Sequence, residues 1–351
     1  MARPGKSMFD LLQACRRSKF LDFSLDNTTI LRDLRLTSVG QLLSDNLHAE
    51  WNQRGSCSSS VPVFIGKSNL TLKENIAKVQ RQTKVTKLPI GITMEQRRTN
   101  QQVMIGNGFT LELPKALELC TSYLLPSTMA NQFLYLLQRQ CKIWWMRLSN
   151  DPGRYFISDM RLNENTNQMT SVSIYARFLD RSEHMTEVEL EQLDVSLNSE
   201  FAGTSTAIVR VSNNLNRSTL AFLMDALESA PLEKCVKINR KIAPFKCGIV
   251  CQIEDKYAQD TGVQQELAEL SKHLTYVLRG AKLSSLDGSF DQEPHHHQFT
   301  QLDQIGVPYV LLLNTQTLQT GLLQLRSRDT TLCETIHVSD LPCYLTKIIY
   351  A

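Results

Sequence analysis

Beyond Lys241 the chain switches repeatedly between two hydrophobic rhythms, and no feature restricts its fold more. The apolar runs Phe245–Ile253, Tyr309–Leu313 and Leu322–Leu325, followed by Glu334–His337, have strand length. Helical spacing appears between them at Gln264–Arg279 and again from Leu341. Ser284–Gln298 is polar and contains Gly288, and Thr315–Gly321 reads as a hairpin-like turn. Strands of this length alternating with helices bury both faces of a sheet, so this part is predicted to be a compact α/β domain with a mixed sheet.

The preceding residues hold both helix and strand candidates. Tyr155–Met160 and Ser171–Leu179 are rich in β-branched and aromatic residues, with a polar turn between them, and are expected to pair antiparallel. Met129–Leu148 places Phe133, Leu134, Leu137, Cys141, Trp144, Trp145 and Leu148 on one stripe, the pattern of a core-facing helix. Trp144 and Trp145 are therefore read as packing residues rather than base-stacking platforms. Leu70–Gln82 and Arg217–Glu228 are further helix candidates, and Thr206–Val211 a strand. The Gly/Ser-rich stretch Trp51–Pro62 reads as a loop, and the acidic run Asp180–Asp194 as an exposed loop or helix. The expected domains are 1–235 and 236–351, with Pro231–Lys241 as a basic connector.

With 351 residues and 42% hydrophobic positions, the chain is long enough for two cores, which excludes whole-chain disorder. No stretch approaches the roughly 18 apolar residues of a membrane span, and a soluble protein without membrane partners is expected. The near-neutral total charge hides an asymmetry. Residues 1–179 hold 23 Lys and Arg against 13 Asp and Glu, whereas the remainder holds 15 against 22. A basic first half suits a polyanion, although solvated surface charge gives the same count. Arg3, Lys6, Arg16, Arg17 and Lys19 against Asp10 alone suit an import presequence, and an amphipathic helix of the fold equally. Nine scattered cysteines without a C-x-x-C pair point to free thiols in a reducing compartment. Cys247 and Cys251 read as buried small hydrophobes, and His295, His296 and His297, on an irregular stretch, make no specific metal site. No cofactor is expected.

Three short motifs then converge. Ala243-Pro244 opens the first C-terminal strand, Gly306-Val307-Pro308 precedes the central one, and Arg326-Ser327-Arg328-Asp329 follows the next. The segment resembles the anticodon-binding domain of class II aminoacyl-tRNA synthetases of the His, Gly, Pro and Thr group. With DLLQACRRSKFL from Asp10, NLHAEW from Asn46, QCKIWWMRL around Trp144 and GLLQLRSRDTT from Gly321, most of the chain is similar to the accessory subunits of mitochondrial DNA polymerase gamma. The resemblance implies a degenerate class II synthetase-like core of α+β class, an antiparallel sheet with helices, ahead of an anticodon-binding-like α/β domain with a mixed sheet, and a place in the mitochondrion.

Adenylate chemistry needs arginines to neutralise phosphate charge in the transition state, in the patterns F-R-x-E and G-x-G-x-x-R. Neither pattern is found, and the close glycine pair Gly106 and Gly108 has no neighbouring cation. No Ser-His-Asp, Cys-His or HExxH constellation appears either, so the chain is expected to be non-catalytic. The resemblance then implies action by binding: a catalytic polymerase subunit on one side, duplex or primer-template DNA on the other. The candidate DNA contacts are Lys73, Lys78, Arg81, Lys84, Lys87, Arg97 and Arg98, with Lys237, Arg240 and Lys241 as a second patch. The candidate docking residues are Thr317, Leu318, Gly321, Leu323 and Arg326, unless Gly321 only serves a turn and Arg326 and Asp329 pair internally. Vertebrate members of the family pair through a long helical insertion. The interval between Leu47 and Leu88 is short here, which favours a heterodimer with the catalytic subunit over a homodimer. A tRNA- or RNA-binding module is the alternative reading.

Overall fold

The computed structural model describes residues 8–25, 30–57, 61–84, 87–105, 109–162, 169–179, 185–201, 204–228, 235–253, 260–288 and 295–350. They form two compact units. Unit 1 comprises 1–16, 21–37 and 47–225, and unit 2 comprises 17–20, 38–46 and 226–351.

Helices α1 (Met8–Arg17), α2 (Ser38–Cys57), α3 (Leu72–Thr83), α4 (Ala130–Leu148) and α5 (Leu215–Glu228) precede or interleave with ten strands. These are β1 (Leu21–Leu25), β2 (Ile30–Leu36), β3 (Val63–Ile65), β4 (Ile90–Ile105), β5 (Phe109–Pro126), β6 (Tyr155–Ile157), β7 (Arg161–Leu162), β8 (Met169–Leu179), β9 (Met185–Phe201) and β10 (Thr204–Asn214). They make one sheet with the path β1-β2-β5-β10-β9-β8-β6, to which β3, β4 and β7 are added. Pairing is antiparallel except for β2 with β5 and β3 with β4. Alternation sets the two faces. Val209, Val211, Leu193, Ile174 and Ala176 are buried on the side of α4 and α5, where Trp145 stacks between Phe222 and Tyr155. Both α4 tryptophans therefore pack, as their stripe predicts.

Two expectations change here, and one of two open readings is met. The first part of the Gly/Ser-rich stretch Trp51–Pro62 is not a loop: α2 continues to Cys57, with Trp51 buried and Arg54 reaching Glu191, while residues 58–60 lie outside the described residues. Tertiary contacts override the weak helix propensity of Gly and Ser. The acidic run is not a solvated loop or helix. Glu187, Glu189, Glu191 and Asp194 lie on β9, each held by a partner: Arg177, Ser173, Arg54 and Gln192 in that order. Asp180 and Glu183 lie outside the described residues, as do Gly106 and Gly108. Finally, α1 buries Leu11, Leu12, Ala14 and Cys15, so its apolar stripe is part of the folded core.

Unit 2 holds a five-stranded sheet of β11 (Cys247–Cys251), β12 (Ser285–Asp287), β13 (Tyr309–Leu313), β14 (Leu322–Ser327) and β15 (Cys333–His337), in the order β12-β11-β13-β14-β15. The first three are parallel and the last two antiparallel, so the sheet is mixed, as expected. Helices α6 (Thr261–Gly280), α7 (His295–Gln304), α8 (Thr315–Thr320) and α9 (Leu341–Tyr350) complete it. Ile249, Leu311 and Leu313 join Leu267, Leu274, Leu341 and Leu345 in one core, while Val250, Val310 and Leu312 join Leu302 in another. Both faces are thus covered, which explains why β13 reads as a continuous apolar run.

Two further expectations fail in this unit. Thr315–Gly321 is the short helix α8 and its cap, not a hairpin turn: Asn314 and Thr317 close a reciprocal capping box, and Gly321 ends it at φ 71°. The histidine triplet opens α7 instead of lying on an irregular stretch, where His297 meets Gln301, one turn on, at 3.3 Å. Among the described residues no group of three His, Cys, Asp or Glu side chains is placed to hold a metal ion.

Candidate functional site

The first basic cluster falls on two elements. On α3, Asn75, Ile76 and Val79 form the buried stripe; Arg81 is exposed opposite it, Lys73 is exposed on one flank and Lys78 is half-buried on the other. The helix starts with a capping box. Glu74 accepts from the backbone N–H and hydroxyl of Thr71, which hold its carboxyl below the usual carboxylate range. It ends at Lys84, in the left-handed conformation at φ 57°, and exposed Lys87 follows before β4. Lys73 and Arg81 are about 12 Å apart along the axis, by eight residues of helical rise.

Arg97 and Arg98 are exposed on β4, and Arg98 is ion-paired with Glu118. With Lys67, Asn69 and Gln96 they line an open groove of about 870 Å³, whose rim carries Ile65 at 90% exposure. Lys67 was not singled out from sequence, since it stands outside the dense basic run. The fold returns it to that run because β3 pairs with β4 and Gly66 N–H donates to the Thr93 carbonyl.

The second patch lies in unit 2. Arg240 is exposed, and Lys237 and Lys241 are half-buried, on a segment fixed from beneath. Lys246 is buried and its Nζ donates to the carbonyls of Arg240, Lys241 and Ala243, at 3.2, 2.6 and 3.2 Å. Arg328 donates from below to the carbonyls of Ile238 and Gly306, and Asn46 to that of Ala243. The AP, GxP and RxRD motifs therefore serve structure: Arg328 pins the Ile238 and Gly306 carbonyls, and Lys246 and Asn46 pin that of Ala243, so backbone acceptors of an irregular segment are not left unpaired.

The same accounting applies to the docking candidates. Thr317 and Leu323 are buried, one in the capping box and the other in the sheet core, and a partner cannot reach them. Leu318 is half-buried against that core. Arg326 makes two 3.0 Å bonds to Asp303 and lies 5.3 Å from the Phe299 ring centroid. Its ion partner is Asp303, while Asp329 takes Arg328. A Cβ on Gly321 would come within 2.5 Å of His337 Nε2, so the glycine is required by its backbone and by this approach. What the region exposes is Leu322 at 41%, Leu332 at 71%, and the outer side of β15.

One residue escaped the motif search. Ser212-Asn213-Asn214-Leu215-Asn216-Arg217 has the spacing of G-x-G-x-x-R, with Ser212 and Asn214 in the glycine positions. Arg217 stands in the first turn of α5, 3.9 Å from Glu189, and burial lowers its pKa. Asn214 Oδ1 accepts from the Arg217 N–H and Asn214 Nδ2 donates to Gln101. The pattern is present in the sequence once small polar residues are allowed in the glycine positions.

Residues 247–348 match the family described as Anticodon binding domain. The chain is 36% identical over 250 residues to "DNA polymerase subunit gamma-2, mitochondrial" of Drosophila melanogaster, covering 66% of this chain and 67% of that protein. It is 30% identical over 240 residues to the Xenopus laevis protein of the same name, covering 61% of this chain and 49% of that one. It is 26% identical over 148 residues to a glycine–tRNA ligase of Alkaliphilus metalliredigens, covering 40% of this chain and 29% of the ligase. The chain thus spans two thirds of the fly protein and about half of the frog one, and it belongs to the family of mitochondrial DNA polymerase gamma-2 subunits.

Proposed function

We propose that the chain is a non-catalytic accessory subunit of the mitochondrial replicative DNA polymerase, raising processivity by binding both the catalytic subunit and duplex or primer-template DNA. The observation that carries the DNA half is the set of cations α3 leaves outside its buried stripe: exposed Lys73 and Arg81, half-buried Lys78, and exposed Lys84 at the cap. Cations spaced along one surface suit phosphates without any base reading, so binding is independent of sequence. Arg97, Arg98 and Lys67 extend this contact within unit 1, and Lys237, Arg240 and Lys241 give unit 2 its own. Docking on the catalytic subunit falls to exposed Leu322 and Leu332 beside the outer side of β15, with Gly321 and Arg326 shaping that surface from within.

Holding polymerase and template together raises the local concentration of each for the other and slows release. The chemistry of adenylate formation is disfavoured because Asn214 fills its cradle position and caps the Arg217 N–H. We expect no ATP-pyrophosphate exchange with any amino acid. The assembly is one copy with one catalytic subunit, which light scattering on the chain alone and on the complex tests.

Primer extension by the catalytic subunit, with and without this chain, decides the reading: longer products are expected with it, and equal lengths overturn it. Replacing Lys73, Lys78, Arg81 and Lys84 by Ala is expected to reduce the salt slope of duplex binding by about 3 to 4, at roughly 0.9 per phosphate lost. An unchanged slope moves the contact elsewhere. The anticodon-binding match favours one other reading, an RNA-binding module. That reading requires structured tRNA to outcompete primer-template, since unstacked loop bases and 2′-hydroxyls would be recognised.

A further inference from the structure

The second half of α6 combines an exposed aromatic ring with a run free of acids. Helix α6 turns Leu267, Ser271, Leu274, Thr275 and Leu278 inward. Its opposite side shows Tyr276 at 78% exposure, higher than any other aromatic side chain among the described residues. Lys272 and His273 precede it by one turn, Arg279 follows by one turn, and Lys282 lies just past the helix end. All four are exposed. From Leu270 to Leu286 there is no Asp or Glu, in a half of the chain where acids outnumber bases 22 to 15. The nearest acid on the helix, Glu269, lies two turns from Tyr276 and accepts from Gln265 at 3.0 Å.

We infer that this face of α6 binds single-stranded nucleic acid, an unpaired base stacking on Tyr276 while Lys272, Arg279 and Lys282 hold the adjoining phosphates. Every base has a π face, so a ring between cations is tolerant of sequence. Lys272 and Arg279 stand about 10 Å apart along the axis, with the ring between them. A duplex keeps its bases stacked and offers the ring nothing, so the site selects unpaired strand. The inference goes beyond the duplex contact proposed for α3 and stands without it.

The test uses the full chain with a labelled oligo-dT and, in parallel, a duplex of the same length. Tyr276→Ala is expected to weaken oligo-dT binding at least about five-fold, while Tyr276→Phe keeps it, since the ring carries the interaction. Replacing Lys272 and Arg279 by Gln is expected to lower the salt slope for oligo-dT by about 1.4, at about 0.7 per phosphate. The positions are on the helix surface, so thermal melts of the variants should overlay the parent. Should a variant melt early, photocrosslinking of the unaltered chain to iodouracil-substituted oligo-dT replaces it, with the adduct expected on Tyr276. Unchanged oligo-dT affinity in Tyr276→Ala, an equal loss for duplex, a crosslink elsewhere, or a loss confined to catalytic-subunit binding would each overturn the inference.

Discussion

Arg54 and Glu191 show how a sequence can hide a core contact. Both are nearly or fully buried. Glu191 takes both guanidinium nitrogens of Arg54 and the Trp145 indole N–H, at 3.1 Å. The Arg54 guanidinium lies 4.9 and 5.5 Å from the ring centroids of Trp144 and Trp51. Burial works against the cation, but Glu191 outweighs it and raises the Arg54 pKa. Removing one partner leaves the other charged and unpaired in the core, whereas removing both removes that penalty. Arg54→Leu and Glu191→Leu are each expected to cost about 3 to 5 kcal/mol in urea unfolding, and the double variant clearly less than their sum. Additive costs would mean that the pair is solvated. Nothing local marks either residue: Arg54 sits beside Gly and Ser, and Glu191 in a run of acids, so both look like surface positions until β9 is placed beside α2's reach.

At the scale of elements, α4 was legible from its apolar stripe at helical spacing, and α3 as a polar helix. The helix α8 was not, since six residues of mostly polar character carry no stripe, and only the Asn314–Thr317 box and the Gly321 cap define it. The same logic makes α3 testable through its cap. Thr71→Ala removes the hydroxyl that accepts from Glu74 N–H and donates to its carboxylate, and is expected to cost about 1 kcal/mol. Denaturant titration of the full chain measures it. Because Glu74's folded pKa is lowered, its contribution is present above the unfolded carboxylate pKa and fades as pH falls through the folded one. The Thr71→Ala difference should therefore shrink in acid. The docking candidates Thr317 and Leu323 follow from a strand-and-turn reading of the same stretch, whereas α8 turns Thr317 inward and β14 turns Leu323 into the sheet core.

At the scale of the whole molecule, thiols set a further limit. Burial pushes Cys15 and Cys247 up to about 12 from an ordinary value near 9, and raises Cys141 as well. A raised folded pKa gives stability that is complete below the unfolded value and is lost as pH rises towards the folded one. Stability should thus fall between about pH 9 and 12, and Cys15→Ala with Cys247→Ala should flatten that limb; a limb of equal slope in the variant would refute the cause. The fold class of the C-terminal domain was legible from its alternating strand and helix patterns and that of the first domain only through the resemblance, while the membership of each unit was legible in neither. Residues 17–20 and 38–46 belong with 226–351, and no periodicity in such short pieces announces a partner two hundred positions away. Asn46, bonded to Ala243, is one such early piece. During synthesis, then, these pieces leave the ribosome long before the strands they serve, and must wait unsatisfied until the tail is translated. The C-terminal half produced by itself would start life with two of its own bricks missing.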